Sequence, residues 1–320
     1  MALSLGLGLT NDCDLRCPHC YRPGPPVHHL TLDEVRATLD ALDVDGVNLG
    51  TGETCLNPQH EAILDLLAER KKRVSLVSNG LTVLGLDRAR LARLAEVEIS
   101  IDFPDRARMD AFRGEGAFDR AVAALERCAH EKVPTTVLAV MMRDNHRHLG
   151  ALARLAGRLG APLRVNTYQP VTSPEFLPRP DEFWLAVASL LGATTVLGCS
   201  EPVVAAAAAG LPLSGSPCGR GSIRVTPTGE RRPCVYWPRD GRVPASEFRR
   251  LPEACRACPL VATCGGGCAS RRALVGRFDE PDPFCPQLGP TPRRLTARVE
   301  EGVERLHVAS VCTLLVRDGG

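Results

Sequence analysis

Short apolar segments alternate with amphipathic stretches along the first half of the chain. Between these segments, hydrophobic residues recur every three or four positions, as at Leu32, Val35 and Leu39, which is the pattern of a helix with one buried face. Strands and helices in alternation predict a parallel sheet flanked by helices. The six strand-like segments are residues 3–9, 44–49, 74–77, 97–101, 137–141 and 163–165.

These six strand–helix units predict the fold class. They occupy about 165 residues, whereas a complete TIM barrel has eight units in roughly 250 residues. We therefore expect an α/β fold built as a partial (β/α)6 TIM-like barrel. Such a barrel is open at one side, and an open side admits a bulky substrate.

The composition changes after the sixth unit. A proline-rich segment at 169–180 ends the barrel, and the alanine run at 205–209 predicts a tightly packed helix. From 215 to 267, glycine, proline and cysteine dominate, as expected where metal clusters hold the fold. The expected organisation is a barrel at 1–170, a helical linker at 171–214, a cysteine-rich domain at 215–290, and at 291–320 a C-terminal helix, about 292–307, with a strand-like tail, 308–316.

Composition also limits the functional classes. The 320 residues can bury a large core, and a formal net charge of +2 gives no reason to expect nucleic-acid or membrane partners. No apolar run approaches the ~18 residues of a membrane helix, and the N-terminus lacks a basic secretion leader. Fourteen cysteines in cluster-like spacing indicate a reducing cytoplasmic location rather than disulfides.

Three cysteines in one short loop are the first candidate chemistry. Cys13, Cys17 and Cys20 are separated by three and two residues, so one loop is able to wrap a single iron–sulfur cubane. Three thiolates on a four-iron cluster leave one iron without a protein ligand, and an open metal position is where a substrate or cofactor binds. The triplet therefore predicts a catalytic cluster.

A second cysteine region has spacing suited to two further clusters. Its members are Cys218, Cys234, Cys255, Cys258, Cys264, Cys268 and Cys285. So regular a pattern is not expected by chance at this cysteine frequency. A structural zinc protein or a non-catalytic electron carrier is an alternative, since tetrahedral thiolate sites also use close cysteine pairs. Zinc does not, however, account for the N-terminal triplet.

The triplet followed by this seven-cysteine region resembles the radical S-adenosylmethionine (SAM) superfamily carrying a C-terminal SPASM domain. The resemblance covers about residues 3–290. It implies that the first 4Fe–4S cluster binds SAM through its open iron and reduces it. The resulting 5′-deoxyadenosyl radical takes a hydrogen atom from the substrate, so the chain would be a radical SAM oxidoreductase.

The resemblance also implies a ligand set for two auxiliary 4Fe–4S clusters. In one, the ligands would be Cys255, Cys258, Cys264 and Cys285; in the other, Cys218, Cys234 and Cys268. The fourth ligand of the second cluster is left open. Cys199 is the nearest upstream candidate, and the alternative is an open iron that binds substrate directly.

Several short stretches agree with the resemblance through SAM binding. The loop Gly50-Thr51-Gly52-Glu53 follows the second apolar segment, and its glycines allow the backbone to approach a ligand while Glu53 offers a charged acceptor to the SAM ammonium. Thr54 stands where the family more often has proline. Two later stretches, Ser78-Asn79-Gly80 and Ser100-Ile101-Asp102, also match the family. Each of them alone is equally typical of a turn or a helix cap. The implied SAM contacts are Gly50, Gly52, Glu53, Ser78, Asn79, Ser100, Asp102 at the ribose, and His19 beside the adenine.

Cys55 is a candidate catalytic residue. It lies two residues beyond Glu53, so it would be close to the SAM pocket and able to return a hydrogen atom to a substrate radical, as some family epimerases require. The alternative is a small buried hydrophobic residue, which is the ordinary role of a free cysteine.

The resemblance favours a peptide substrate. Most SPASM enzymes modify peptide or protein side chains, with auxiliary clusters removing the second electron, so we expect a peptide maturase. The barrel begins almost at Met1, so a separate protein would supply leader binding. An external donor such as flavodoxin or ferredoxin would supply electrons. The alternative is a dehydrogenase or epimerase of a small molecule, such as an aminocyclitol or sugar of secondary metabolism.

Overall fold

The computed structural model describes residues 3–194, 196–210, 221–289, 291–300 and 314–318. Its first six strands fall on the six predicted apolar segments, and each pairs in parallel with the next. The predicted α/β class with a mostly parallel sheet is therefore confirmed. The strands are β1 (Leu3–Leu7), β2 (Val44–Leu49), β3 (Arg73–Ser78), β4 (Glu96–Ser100), β5 (Thr135–Met141) and β6 (Leu163–Thr167).

Later segments of the chain extend this sheet at both ends. They are β7 (Val196–Cys199), β8 (Ala208–Gly210), β9 (Ser222–Val225), β10 (Arg231–Arg232), β11 (Leu295–Glu300) and β12 (Leu314–Asp318). The strand order in the described residues is β10-β9-β1-β2-β3-β4-β5-β6-β7-β12-β11-β8. Both β7, which is parallel to β6, and β9, which is parallel to β1, were missed by the sequence analysis. The expected linker and cysteine-rich region thus contribute strands to the same sheet.

The expected C-terminal helix is wrong where the structure describes it. Leu295–Glu300 is a strand that pairs in parallel with β8 and antiparallel with β12. The reason lies in its sequence, since apolar residues at 295, 297 and 299 alternate with polar ones, and that period of two belongs to a strand. The strand β12 overlaps the end of the predicted strand-like tail, and residues 301–313 lie outside the described part of the chain.

Helices connect the strands. In the barrel region they are α1 (Leu32–Ala41), α2 (His60–Glu69), α3 (Leu81–Gly85), α4 (Arg88–Leu91), α5 (Arg106–Arg113), α6 (Ala117–His130) and α7 (Leu149–Arg158). The later ones are α8 (Pro180–Leu191), α9 (Pro202–Ala207), α10 (Glu253–Arg256), α11 (Val261–Cys264) and α12 (Ala269–Leu274), with 3-10 turns at Thr54–Leu56 and Ala245–Arg249. The predicted alanine helix ends at Ala207, and the next residues form β8.

One continuous apolar core lies between the sheet and its helices. Strand residues such as Val47 and Leu76 are fully buried, and they pack with helix residues such as Leu67. Burying each large aliphatic side chain contributes about 1.5–3 kcal/mol. A smaller cluster of Trp237, Phe248, Ala273 and Phe278 lies in the cysteine-rich region. That region therefore has an apolar core of its own as well as its cysteines.

The first helix begins with a reciprocal cap, which gives a stability prediction. Thr31 Oγ1 accepts from the Glu34 backbone N–H at 3.2 Å, and Glu34 Oε2 accepts from the Thr31 N–H at 2.8 Å. Thr31→Ala removes one half of this cap and should lower the free energy of unfolding by about 1 kcal/mol, as measured by urea denaturation. Thr38→Ala in the same helix is the matched control and should be neutral or slightly stabilising, because alanine has the higher helix propensity. Equal losses in both variants would contradict the capping role.

Candidate functional site

A cavity of about 280 Å³ lies where the parallel strands end. Its wall is formed by the loops after β1, β2, β3 and β6, and by residues of the cysteine-rich region. The carboxyl ends of parallel strands share one edge of a sheet, which is where α/β proteins bind ligands. The cavity is therefore the candidate site.

The predicted cysteine triplet lies on the wall of this cavity. Cys13, Cys17 and Cys20 all line it, and none forms a disulfide. The loop is tightly turned, since the Cys20 N–H donates to the Cys17 carbonyl at 3.1 Å. Burial raises the pKa of Cys13 to about 12 and also raises the pKa of Cys17. Because a metal binds the thiolate, cluster assembly here must release protons.

Polar contacts hold the triplet loop at both ends. Arg22 donates to the backbone carbonyls of Asn11 at 2.8 Å and Leu15 at 2.6 Å. Asp14, between the first two cysteines, accepts from Asn79 at 2.8 Å and from Arg120 at 2.5 Å. The loop is thus fixed against the ends of the neighbouring strands.

The predicted glycine-rich loop packs directly on the triplet loop. Thr51 and Gly52 both have positive φ, 83° and 66°. A Cβ at Gly52 would collide with the backbone carbonyl oxygens of Thr10 and Asp12, and the next residue, Glu53, donates its N–H to Asp12 O at 2.8 Å. Only glycine permits this approach, and Gly50, Gly52 and Glu53 all line the cavity.

The Glu53 carboxylate is buried and already has four protein donors. Its Oε1 accepts from Ser78 Oγ at 2.5 Å, from the Thr82 N–H at 2.9 Å and from Thr82 Oγ1. Its Oε2 accepts from the Asn79 N–H at 2.9 Å. A carboxylate oxygen has two lone pairs, so Oε2 is the oxygen with capacity for a ligand. Glu53 therefore fixes the loop after β3 while it faces the cavity.

The other predicted SAM contacts divide into two groups. Ser78, Asn79, Ser100 and His19 line the cavity. Asn79 Nδ2 also donates to Cys13 Sγ at 3.7 Å. Asp102 is fully buried and is not among the lining residues. The structure therefore brings together the predicted contacts from the β3 loop and the triplet loop, and it places Asp102 behind them.

His19 is held as a neutral ring. It is 8% exposed, its ring lies 5.0 Å from that of Phe112, and its Nε2 lies 3.5 Å from Asp102 Oδ2. Burial lowers the pKa of His19 to about 4, although Asp102 acts in the opposite direction. The ring is uncharged near neutral pH and suits contact with a flat heterocycle.

Two further candidate cysteines lie away from the cavity wall. Cys55 is in the 3-10 turn after the glycine-rich loop, where its N–H donates to Thr82 Oγ1 at 3.1 Å, and it is not among the lining residues. Burial raises its pKa. Cys199 ends β7 and is buried in the apolar core. Neither position supplies a thiol to the cavity.

The cysteine-rich region places its described cysteines at two cavities. Cys234 and Cys268 line the main cavity, with Cys268 Sγ 3.8 Å from Gln169 Oε1. Cys218 lies outside the described residues. Cys255, Cys258, Cys264 and Cys285 line a second, small cavity of about 10 Å³.

The four cysteines of the small cavity are close enough to influence one another. Burial, followed by the charges of Cys264 and Cys285, raises the pKa of Cys255 to about 11. The chain turns here through three consecutive left-handed glycines at 265–267, with φ of 58°, 79° and 79°. Such a turn is open only to glycine, and it places the Cys264 and Cys268 ends of the segment at different cavities.

The described cysteines at the two cavities suit iron–sulfur clusters by their chemistry, because none of them forms a disulfide and their thiols gather at a cavity wall. In the parts of the chain that the structure describes, no three His, Cys, Asp or Glu side chains are arranged to hold a single metal ion. A cubane binds each thiolate at a different iron.

None of the helices within the described ranges has the length and apolar character needed to cross a bilayer.

Several residues of the site were missed by the sequence analysis. Tyr21 and Tyr236 pack edge to face with ring centroids 5.0 Å apart, and so join the triplet loop to the loop of Cys234. Arg271 is fully buried and bridges Glu201 and Asp282 at 2.7 Å each, while the Cys268 N–H donates to Asp282 at 2.7 Å. The one sequence signal was proximity, since Tyr21 and Tyr236 lie within two residues of a predicted cluster ligand.

Comparison with known proteins agrees with this site. Residues 7–156 match the family model described as the Radical SAM superfamily. The chain is 28% identical to mycofactocin maturase MftC of Mycobacterium tuberculosis, over 87% of this chain and 81% of MftC.

Two solved structures share the fold. SuiB of Streptococcus suis bound to S-adenosylmethionine superposes with a TM-score of 0.66, 15% identity and coverage of 91% of this chain and 78% of SuiB. The enzyme anSMEcpe, bound to AdoMet and the Cp18Cys peptide, gives a TM-score of 0.66, 16% identity and coverage of 88% and 93%. The segment that matches the family model, residues 7–156, contains the cysteine triplet and the glycine-rich loop of the cavity. This chain is therefore an enzyme, and over residues 7–156 it is similar to the radical SAM superfamily.

Proposed function

We propose that this enzyme is a peptide maturase that uses SAM to remove hydrogen from a side chain of a peptide substrate. One observation carries the proposal: a single cavity is lined on one side by the cysteine triplet and glycine-rich loop, and on the other by Cys234 and Cys268. A substrate in that cavity would lie between the place where a radical is generated and a second redox centre.

Cys13, Cys17 and Cys20 would hold the SAM-binding 4Fe–4S cluster. When bound, the cluster would supply the electron that splits SAM. The residues of the chain then hold the SAM molecule. Gly50 and Gly52 let the backbone approach its amino-acid end, and the free capacity of Glu53 Oε2 suits the ammonium group.

The remaining residues of this wall orient the nucleoside end. The neutral His19 ring beside Phe112 offers an apolar surface for the adenine. Ser78, Asn79 and Ser100 offer polar groups along the same wall. The roles proposed for Ser78, Asn79, Ser100 and His19 are those that the family resemblance implies. Asp102 is buried, and this position supports a different role, which is described below.

The cysteine-rich region would be a SPASM domain with two auxiliary clusters. Cys255, Cys258, Cys264 and Cys285 share one cavity, which supports their role as one ligand set. Cys234 and Cys268, with Cys218, would hold the other cluster, whose place on the main cavity suits an acceptor of the second electron from the substrate. Cys55 and Cys199, which lie off the cavity wall, have no part in the proposal.

A peptide substrate is supported by the relatives. MftC, aligned over most of both chains, is a maturase, and anSMEcpe has been solved with a peptide bound. A separate leader-binding protein and an external electron donor such as flavodoxin or ferredoxin complete the proposed system.

Loss of the triplet should abolish SAM cleavage. After anaerobic reconstitution, wild-type protein should contain about twelve irons and the Cys13/Cys17/Cys20→Ala variant about eight, as three and two four-iron clusters require. With SAM and dithionite, chromatography should detect 5′-deoxyadenosine from wild type only. Cys128→Ala is the matched control, since Cys128 is a buried core residue of α6, and it should behave as wild type. Equal nucleoside from the triplet variant would refute the proposed radical site.

Glu53→Gln should weaken SAM binding without loss of iron. The change removes the charge from a carboxylate that orders Ser78 and Thr82, and hydrogen bonds to a charged group contribute about 1.5–3 kcal/mol. We expect the Kd for SAM, measured by equilibrium dialysis on reconstituted protein, to rise about tenfold or more. Glu69→Gln on the exposed side of α2 is the control. An unchanged Kd for Glu53→Gln would exclude this role.

The substrate class is tested with a short peptide encoded beside the gene. A modified peptide that has lost two hydrogens, detected by mass spectrometry only when SAM and reductant are both present, is the expected product. The Cys255/Cys258→Ala variant should still form 5′-deoxyadenosine but less modified peptide, because the proposed auxiliary cluster is lost. Turnover of an aminocyclitol or sugar, with the peptide unchanged, would instead establish a small-molecule enzyme.

A further inference from the structure

The last residue of α5, Arg113, lies against the cysteine triplet. Its side chain is 9% exposed and lines the main cavity together with Cys17 and Cys20. The helix end packs on the triplet loop, since a Cβ at Gly114 would lie 3.3 Å from Leu15 Cδ2. This position was not recognised in the sequence, where an arginine at a helix C-terminus is ordinary.

The helix end presents an electrostatic problem to a bound cluster. The Cys17 thiol donates to the backbone carbonyl of Arg113, with an Sγ···O distance of 4.0 Å. Carbonyls at a helix C-terminus carry partial negative charge. Once Cys17 binds iron as a thiolate it has no proton to donate, so its contact with this carbonyl becomes repulsive.

The guanidinium of the same residue opposes that repulsion. The Arg113 side chain lines the cavity wall together with Cys17 and Cys20 and is 9% exposed. The positive charge of Arg113 therefore lies on the wall that carries these two thiols. In a partly buried site such interactions are weakly screened.

Asp102 fixes this guanidinium. Arg113 Nε and Nη2 both donate to Asp102 Oδ2, at 2.7 and 2.6 Å. The other carboxylate oxygen accepts from the Val140 N–H at 2.8 Å, and Asn145 donates to the Asp102 carbonyl at 3.0 Å. Asp102 is therefore anchored to the sheet by backbone and side-chain contacts, and it holds Arg113 in one position.

We infer that Arg113, held by Asp102, is a positioning residue that sets the reduction potential of the cluster bound by the triplet. Reduction adds negative charge to the cluster, and a fixed cation beside it favours the reduced form. The anion of Asp102 acts in the opposite direction, but Asp102 is fully buried and does not line the cavity, whereas Arg113 does. The inference rests on the proposed function, because it requires a cluster at Cys13, Cys17 and Cys20.

The test is a potentiometric titration of reconstituted protein followed by electron paramagnetic resonance. The signal of the triplet cluster is identified as the component that changes on addition of SAM and that is absent in the Cys13/Cys17/Cys20→Ala variant. Its midpoint potential should shift to a more negative value in Arg113→Gln and stay near the wild-type value in Arg113→Lys, which keeps the charge. Arg106→Gln, at an exposed position of the same helix where Arg106 pairs with Asp119, is the matched control and should cause no shift.

Asp102→Asn separates charge from structure. Removal of the anion leaves the cation beside the cluster, so the midpoint potential should shift to a more positive value, opposite in sign to Arg113→Gln. If Arg113 and Asp102 affected only the structure of the loop, Arg113→Gln and Asp102→Asn would shift the midpoint potential in the same direction. If Arg113→Gln loads no iron, two results still test the inference. They are the direction of the potential shift in Asp102→Asn and the unchanged potential in Arg113→Lys.

Three results overturn the inference. They are an unchanged potential in Arg113→Gln, shifts of the same sign in Arg113→Gln and Asp102→Asn, or a shift in Arg106→Gln as large as that in Arg113→Gln. A SAM-responsive signal that persists in the triplet variant would overturn the proposed function itself, and the inference with it. The two failures are therefore distinct.

Discussion

Parallel pairing of the first six strands is the constraint on which the rest of the structure depends. Each strand leaves the sheet at the same edge, so the loops that follow β1, β2 and β3 meet although their residues are far apart in sequence. The cysteine triplet, the glycine-rich loop and the Ser78-Asn79 turn are brought to one cavity in this way. Their chemistry requires the sheet, because none of these loops has an apolar core of its own.

Two close contacts then lock the loops together. The absent side chain at Gly52 lets the second loop rest on the carbonyls of the first, and the buried carboxylate of Glu53 joins the second loop to the third. A buried carboxylate is tolerable only when donors surround it, and Ser78, Asn79 and Thr82 provide them. The residues that are proposed to bind SAM are therefore the ones that hold these loops together.

Much of the parallel sheet could be predicted because its strands are apolar runs bounded by polar turns. The triplet and the glycine-rich loop could also be predicted from the sequence, since the residues of each motif are close together in the chain. Arg113, by contrast, is one of many arginines in the sequence, and only the packing of α5 on the triplet loop reveals its position beside the cysteines. Likewise, Leu295–Glu300 was misassigned to a helix because its period of two extends over only six residues, and its partners β8 and β12 are visible only in the structure.

The pairing of β9 with β1 has a consequence for the proposed transfer of electrons between the two cysteine groups. In that ladder the backbone of Ser222–Val225 is hydrogen-bonded to the strand that leads into the cysteine triplet, and Cys234 follows nine residues after β9 ends. A covalent tether between two redox sites would allow their separation to vary with thermal motion. Here the ladder between β1 and β9 restrains it, so in the proposed enzyme the separation of the two clusters would be set by the sheet and not by the intervening chain.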